Sequence, residues 1–191
     1  MQPIGIFGGS FDPVHSGHLA LARVAKRQFG LKRVYFVPAK HPPHKMGRAL
    51  APAKDRINML NLCGVKNISR FELNRPGTTY TWRTLKYFRA RFPNAQLYFI
   101  LGGDSLSELS QWKRPDLIIK LCTIAAGART GTKFYLPKVF AGSVVKLRGT
   151  IPRVSSTEIR RRIANAQPVT KFVKRTVAQY IAKRRLYENN Y

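Results

Sequence analysis

The chain has 191 residues, 44% of them hydrophobic, and 35 Lys and Arg against 8 Asp and Glu give it a formal net charge of +27. That content is globular, and the length predicts one domain, residues 1–191, burying roughly 70% of its unfolded surface. Two cysteines, Cys63 and Cys122, exclude a disulfide framework, and the absence of a secretory leader or a membrane-length apolar run makes a cytoplasmic protein with no membrane partner the expectation.

The charge has two explanations. Such a surface attracts polyanions such as nucleic acid by counterion release, or it is simply solvated in a host with a basic proteome, high internal salt or an acidic interior. Four of the few carboxylates, Asp12, Glu72, Asp104 and Glu158, fall in segments that look like motifs. The others are Asp55, Glu108, Asp116 and Glu188.

Ile4 to Phe7 predicts a strand, Gly8 to His18 a glycine-rich turn, and Leu19 to Phe29 an amphipathic helix. Paired glycines let backbone N–H groups approach an anion, and a helix start adds roughly half a positive charge. His15 and His18 stand where the turn enters the helix, so both can reach one phosphate chain. Neither G-x-x-x-x-G-K-[ST] nor G-x-G-x-x-G is present here. Arg33 to Pro38 predicts a second strand, and strand-helix-strand in this spacing starts a parallel sheet. A polar, proline-rich loop, His41 to Arg48, follows; on pattern alone it is a plain connector.

Pro52 to Leu62 predicts a helix with Ile57, Met59 and Leu60 inward, and Ile68 to Leu73 a strand. The turn cluster Asn74 to Thr79 leads through Tyr80-Thr81 into a helix whose Trp82, Leu85, Phe88 and Phe92 make one buried face. Gln96 to Leu101 is the strongest strand pattern and runs into Gly102-Gly103-Asp104-Ser105. A carboxylate at a strand's carboxyl end can meet ribose hydroxyls, help hold a metal, or cap a helix. Trp112 lies in an unusually polar setting. A short helix (Asp116 to Leu121), a strand (Thr123 to Ala126) ending near the cation Arg129, and a last strand (Val144 to Leu147) complete a sheet. Ser155 and Glu158 form a helix-start capping pattern, and Arg160 one turn in can fork onto phosphate oxygens. A basic amphipathic helix is expected from Val169 to Tyr187, with Phe172, Val173, Val177, Tyr180 and Ile181 inward.

Gly-Ser-Phe-Asp-Pro-Val-His-Ser-Gly-His, from Gly9 to His18, resembles the first signature of the H-x-G-H nucleotidyltransferases. Val154-Ser155-Ser156-Thr157-Glu158-Ile159-Arg160 resembles the signature that closes the same site, and Arg75 to Thr81 is similar to a segment of the nicotinate-nucleotide adenylyltransferase branch, with Thr79 replacing its usual Ser. The resemblance spans nearly the whole chain and implies an α/β, doubly wound parallel sheet of Rossmann-like nucleotidyltransferase fold. It implies adenylyl transfer from ATP to nicotinate mononucleotide in NAD synthesis, with nicotinamide mononucleotide as the alternative acceptor and Mg2+ accompanying ATP.

The implied catalytic residues are His15, His18 and Arg160. ATP would contact Gly8, Gly9, Ser10, Phe11, His15, His18, Gly102, Asp104, Ser156 and Arg160; the acceptor would contact Lys45, Thr79, Tyr80, Thr81, Trp112 and Arg129, with Trp112 stacked on the pyridine ring. No protein metal site is expected, because His15 and His18 have no cysteine partner or H-E-x-x-H context. A rival reading is a nucleic-acid-binding protein on the same scaffold without turnover.

Overall fold

The computed structural model describes residues 2–40 and 50–188. Five strands, β1 (Pro3–Gly9), β2 (Arg33–Pro38), β3 (Gln96–Gly102), β4 (Thr123–Gly127) and β5 (Val144–Lys146), form one sheet in the order β2-β1-β3-β4-β5. Every pairing is parallel. The chain builds outward from β1 to β2, then returns to lay β3 on β1's other side. The carboxyl ends of β1 and β3 therefore flank the switch point at which such sheets bind ligands.

Alternate strand residues feed two cores, as the two-residue period requires. On one face Phe7, Phe36, Tyr98, Ile100 and Ala125 pack under α1 (Ser16–Gln28), α2 (Ala53–Leu62), α6 (Ser156–Ala164) and α7 (Arg175–Lys183). On the other Ile4, Ile6, Val37, Leu97, Phe99 and Leu101 pack under α3 (Thr81–Arg91), α4 (Gly103–Ser107) and α5 (Pro115–Leu121). Leu97, Phe99, Ile100 and Leu101 of β3 are all buried; at roughly 1.5–3 kcal/mol per large apolar side chain, this strand is the main anchor of both layers.

Local chemistry sets the helix ends. α1 stops because Gly30 adopts φ +58° and Leu31 N–H reaches back to the Lys26 carbonyl at 2.9 Å, a Schellman closure whose C″ residue, Leu31, is buried. Among the described residues no helix is long and apolar enough to cross a membrane.

Two expected elements are not formed as such. Ile68 makes a single bridge to Phe36, and the chain turns over Phe71 to Asn74 instead of continuing as a strand. Tertiary contacts win here: Phe71 stacks on Tyr87 at 4.2 Å, while Glu72 is drawn beneath α3 by a 2.7 Å hydrogen bond from Thr84 Oγ1. The expected helix from Val169 is helical only as α7, from Arg175. Before it, the Phe172 carbonyl accepts from Ser16 N–H at 2.9 Å and Lys174 Nζ donates to the Cys63 carbonyl at 2.9 Å, holding that segment in turns.

Candidate active site

The turn after β1 enters α1 through an unusual reciprocal cap. His15 is the N-cap; its Nδ1 accepts from His18 N–H at 3.4 Å, and His18 Nδ1 accepts from His15 N–H at 3.3 Å. With each Nδ1 an acceptor, the proton of each neutral ring sits on Nε2. The rings stack at 3.7 Å and 23°, and Phe11 and Phe7 pack against His18 at 5.1 and 5.9 Å. Gly17 leaves room beneath them: a Cβ there would lie 3.0 Å from Val154 and 3.1 Å from the His15 ring, so a side chain would have to give by a few tenths of an ångström.

Both imidazoles line a cavity at the carboxyl ends of β1, β3 and β4. Gly8, Gly9 and Ser10 form its floor, Gly102, Asp104 and Arg129 one side, and Ser155, Ser156 and Thr157 at the start of α6 the other. Ser155 caps α6 by accepting from Glu158 N–H at 3.1 Å. The return half of the expected capping box is absent, because the Glu158 carboxylate pairs with Arg161 and Arg162. Ser156 Oγ donates to the Pro13 carbonyl at 3.0 Å, tying α6 to the histidine turn.

A second cavity adjoins the first and shares Gly8, Gly9, Ser10, Leu101, Ser105 and Glu108 with it. Its remaining wall includes Glu72, Thr79, Tyr80, Thr81 and Trp112. Trp112 is half-buried, edge-on to Phe99 at 6.2 Å. Tyr80 is the N-cap of α3, and its carbonyl takes the N–H groups of Arg83 and Thr84 at 2.9 and 3.4 Å, so the helix itself leaves the N–H groups of Thr81 and Trp82 unused.

The expected residues thus divide. Gly8, Gly9, Ser10, His15, His18, Gly102, Asp104 and Ser156 share the first cavity; Thr79, Tyr80, Thr81 and Trp112 share the second. Arg129, expected with the second group, instead lies on the first cavity, 2.6 Å from Asp104 in an ion pair whose carboxylate side is 65% exposed. Phe11 is buried with φ +49°, and its ring supports the site from behind. Lys45 lies outside the described residues.

Arg160 lies behind the cavity, not on its wall. Its side chain is 3% exposed; Nη1 donates to the Asp12 carbonyl at 2.6 Å and Nη2 to Thr157 Oγ1 at 3.1 Å, with the Asp12 carboxylate 3.8 Å away. Burial lowers the Arg160 pKa and the Asp12 charge opposes that shift. Asp12 is the hub of a buried frame that composition did not reveal. Its Oδ1 accepts from Tyr187 Oη at 2.8 Å and from Ala51 N–H at 3.1 Å, while Arg56 Nη1 donates to the Ser10 carbonyl at 2.7 Å. Tyr187 had no sequence signal as a site residue; it arrives because the chain reverses after α7 with φ +49° at Arg185 and +70° at Tyr187. Glu72, Ser105 and Glu108 are further wall residues without an assigned role; the cues to the glutamates were the scarcity of acidic residues and, for Glu72 alone, its place in a motif-like segment.

Comparison with known proteins gives the family and agrees with this fold. The cytidylyltransferase-like family model matches residues 6–162. A sequence of Thermomicrobium roseum named as a probable nicotinate-nucleotide adenylyltransferase is 37% identical over 197 residues, covering 98% of this chain and 92% of its own. One of Neisseria meningitidis serogroup C, named likewise, is 39% identical over 202 residues, covering 98% and 100%. The solved structure of Plasmodium falciparum nicotinic acid mononucleotide adenylyltransferase complexed with NaAD superposes with a TM-score of 0.80 at 21% identity, covering 100% of this chain and 99% of that one, a likeness of fold. With the paired histidines, the α6 start and the parallel sheet in place, the chain is a nucleotidyltransferase enzyme belonging to the nicotinate-nucleotide adenylyltransferase family.

Proposed function

We propose that the chain transfers the adenylyl group of ATP to nicotinate mononucleotide, giving nicotinate adenine dinucleotide and pyrophosphate. The observation that carries this reading is the pair of adjoining cavities sharing the Gly8–Ser10 floor, one faced by two imidazoles and a helix start, the other by Trp112 and the start of α3. In that reading a triphosphate occupies the first and a pyridine nucleotide the second, with their phosphates meeting over the shared floor.

The acceptor phosphate oxygen attacks the α-phosphorus; a new P–O bond forms as the bond to the β-phosphate oxygen breaks and pyrophosphate leaves. No protein nucleophile is needed. The protein holds two anions together, which supplies roughly 7–11 kcal/mol when alignment is good. Nε2–H donors of His15 and His18 neutralise charge that grows at the reacting phosphate. Ser156 and the N–H groups at the start of α6 meet the β and γ groups, and Asp104 with Gly102 meets the adenosine ribose. Arg160, committed to Asp12, serves by fixing the turn that carries the histidines; it reaches phosphate only by leaving that contact. Mg2+ would enter with the triphosphate and would supply charge neutralisation at its oxygens. The carboxylates on the first cavity's wall are Asp104 and Glu108, and no group of three potential ligands exists among the described residues, a donor set suited to an ion held mainly by phosphate oxygens and water.

Acceptor choice belongs to the ring-side cavity, because a charge of +27 favours every phosphorylated acceptor alike. The Thr81 and Trp82 N–H groups are donors that match both oxygens of a carboxylate and oppose an amide NH2. With purified protein, MgATP and each acceptor in turn, pyrophosphate release should be much faster with nicotinate than with nicotinamide mononucleotide, and absent with phosphopantetheine. Equal rates on acid and amide would overturn the selectivity, and release with phosphopantetheine alone would overturn the acceptor class. The same charge supports a separate property, non-specific and salt-dependent attachment to polyanions.

A further inference from the structure

The ring-side cavity contains one buried carboxyl group that adenylyl transfer leaves unused. Glu72 is 8% exposed, and the only hydrogen bond of its carboxyl group among the described residues is the one that Oε1 accepts from Thr84 Oγ1 at 2.7 Å. The group lies on the same wall as Thr79, Tyr80, Thr81 and Trp112. Thr79, 6% exposed, carries a buried Oγ1 that also has no hydrogen-bond partner among the described residues. A buried hydroxyl with no partner and a carboxyl oxygen open to the cavity therefore stand on one wall, and a ligand placed there can satisfy both.

We propose that Glu72 sets the choice between acid and amide acceptors: as a carboxylic acid it donates its proton to the nicotinate carboxylate, and as a carboxylate it accepts from the amide N–H of the nicotinamide form. The inference rests on the adenylyl-transfer reading of the site and names the residue that tunes its selectivity. Two carboxylates in one dry pocket do not both ionise at low cost. A nicotinate carboxylate at the start of α3 therefore requires the neutral form of Glu72, whereas the amide, with no charge to repel, is best met by the ionised form. Burial pushes the Glu72 carboxyl up to about 7, against the opposing hydrogen bond from Thr84, so both forms are populated near neutrality.

Among the described residues, the other titratable groups on the cavity wall are Tyr80, Glu108 and Lys113. The cations on the flanking segments are engaged elsewhere: Lys40 Nζ donates to the Arg75 carbonyl at 2.9 Å, Arg75 lies over the Phe71 ring and Arg83 over the Trp82 ring. None of them forms an ion pair with Glu72. Protonation of His15, of His18 or of the acceptor phosphate acts on both acceptors alike and cancels in a ratio.

The test is that ratio: kcat/KM for nicotinate mononucleotide over kcat/KM for nicotinamide mononucleotide, from pyrophosphate release at saturating MgATP. In the intact protein the ratio should fall by roughly tenfold or more between about pH 6 and pH 8, the size set by one exclusive protonation. Glu72→Gln keeps the shape without the titration and should flatten the profile. Thr84→Val removes the donor to the charged form and should move the fall to higher pH, a readout that stands even if the Gln variant fails to fold. A ratio independent of pH in the intact protein, or an unchanged fall in Glu72→Gln, overturns the proposal. No release with either acceptor also overturns it, by removing the reading on which it rests, and that outcome is distinct from turnover with a flat ratio.

Discussion

His15 and His18 are placed by each other as much as by the sheet. Each closes the other's backbone N–H, the two rings stack, and Gly17 leaves the room they need. Removing the His18 ring therefore takes away the donor proposed at the phosphate and half of a helix cap. Loss of one preorganised donor costs about a hundredfold or more in turnover, and loss of a cap about 1 kcal/mol of stability. His18→Ala should accordingly lose at least about a hundredfold in kcat while its far-ultraviolet circular dichroism and cooperative melting are retained. Near-normal kcat in a folded variant would remove His18 from the mechanism. Local chemistry made this pair readable from the sequence, since turn, glycines and histidines are contiguous. Arg160 was readable as a residue but not in its direction: helical spacing puts it one turn into α6, while its hydrogen bonds to the remote Asp12 carbonyl and to Thr157 Oγ1, with the Asp12 carboxylate 3.8 Å away, hold its guanidinium behind the cavity.

Whole elements were legible where burial and local signals coincide. β1, β2, β3 and β4 are short apolar runs closed by Gly or Pro, and α1 and α3 carry periodic apolar stripes, so pattern and packing agree. Ile68 to Leu73 misled because its pattern is extended while its contacts, Phe71 on Tyr87 and Glu72 under α3, belong to a turn. That turn has a thermodynamic consequence. The Glu72 carboxyl is raised from an ordinary 4.5 to about 7, so the unfolded chain ionises it more readily than the folded one. The stability it contributes is fully present below about pH 4.5 and is lost as pH rises through about 7. Glu72→Gln should therefore stabilise the ligand-free protein more at pH 8 than at pH 5.5, by up to about 2 kcal/mol of linkage, read as a larger rise in melting temperature. The same melting shift at both pH values would show that Glu72 is not held neutral beneath α3.

Across the molecule, six of the eight carboxylates are specifically engaged. Asp12 and Asp55 are buried in contacts with Tyr187 and with Tyr180 and Arg184, Glu72 accepts from Thr84, and Asp104, Asp116 and Glu158 pair with arginines. Eight acidic side chains offset little of the charge of 35 Lys and Arg, leaving a formal net charge of +27. Exposed charges are screened beyond roughly 8–10 Å at ordinary ionic strength, and a polyanion held by such charges releases counterions as it binds. Neutralising 6–10 phosphates would cost about 10³–10⁵ in affinity between roughly 50 and 200 mM salt. Adenylyl transfer uses short contacts inside a cavity and should respond far less. The discriminating measurement is a paired salt titration: anisotropy of a labelled single-stranded oligonucleotide against kcat/KM for pyrophosphate release. A steep fall in binding with a shallow fall in kcat/KM separates the surface field from the site. Parallel slopes would mean that the long-range field itself delivers the nucleotide substrates, and salt-independent oligonucleotide binding would mean that a specific site, rather than the overall charge, holds the nucleic acid.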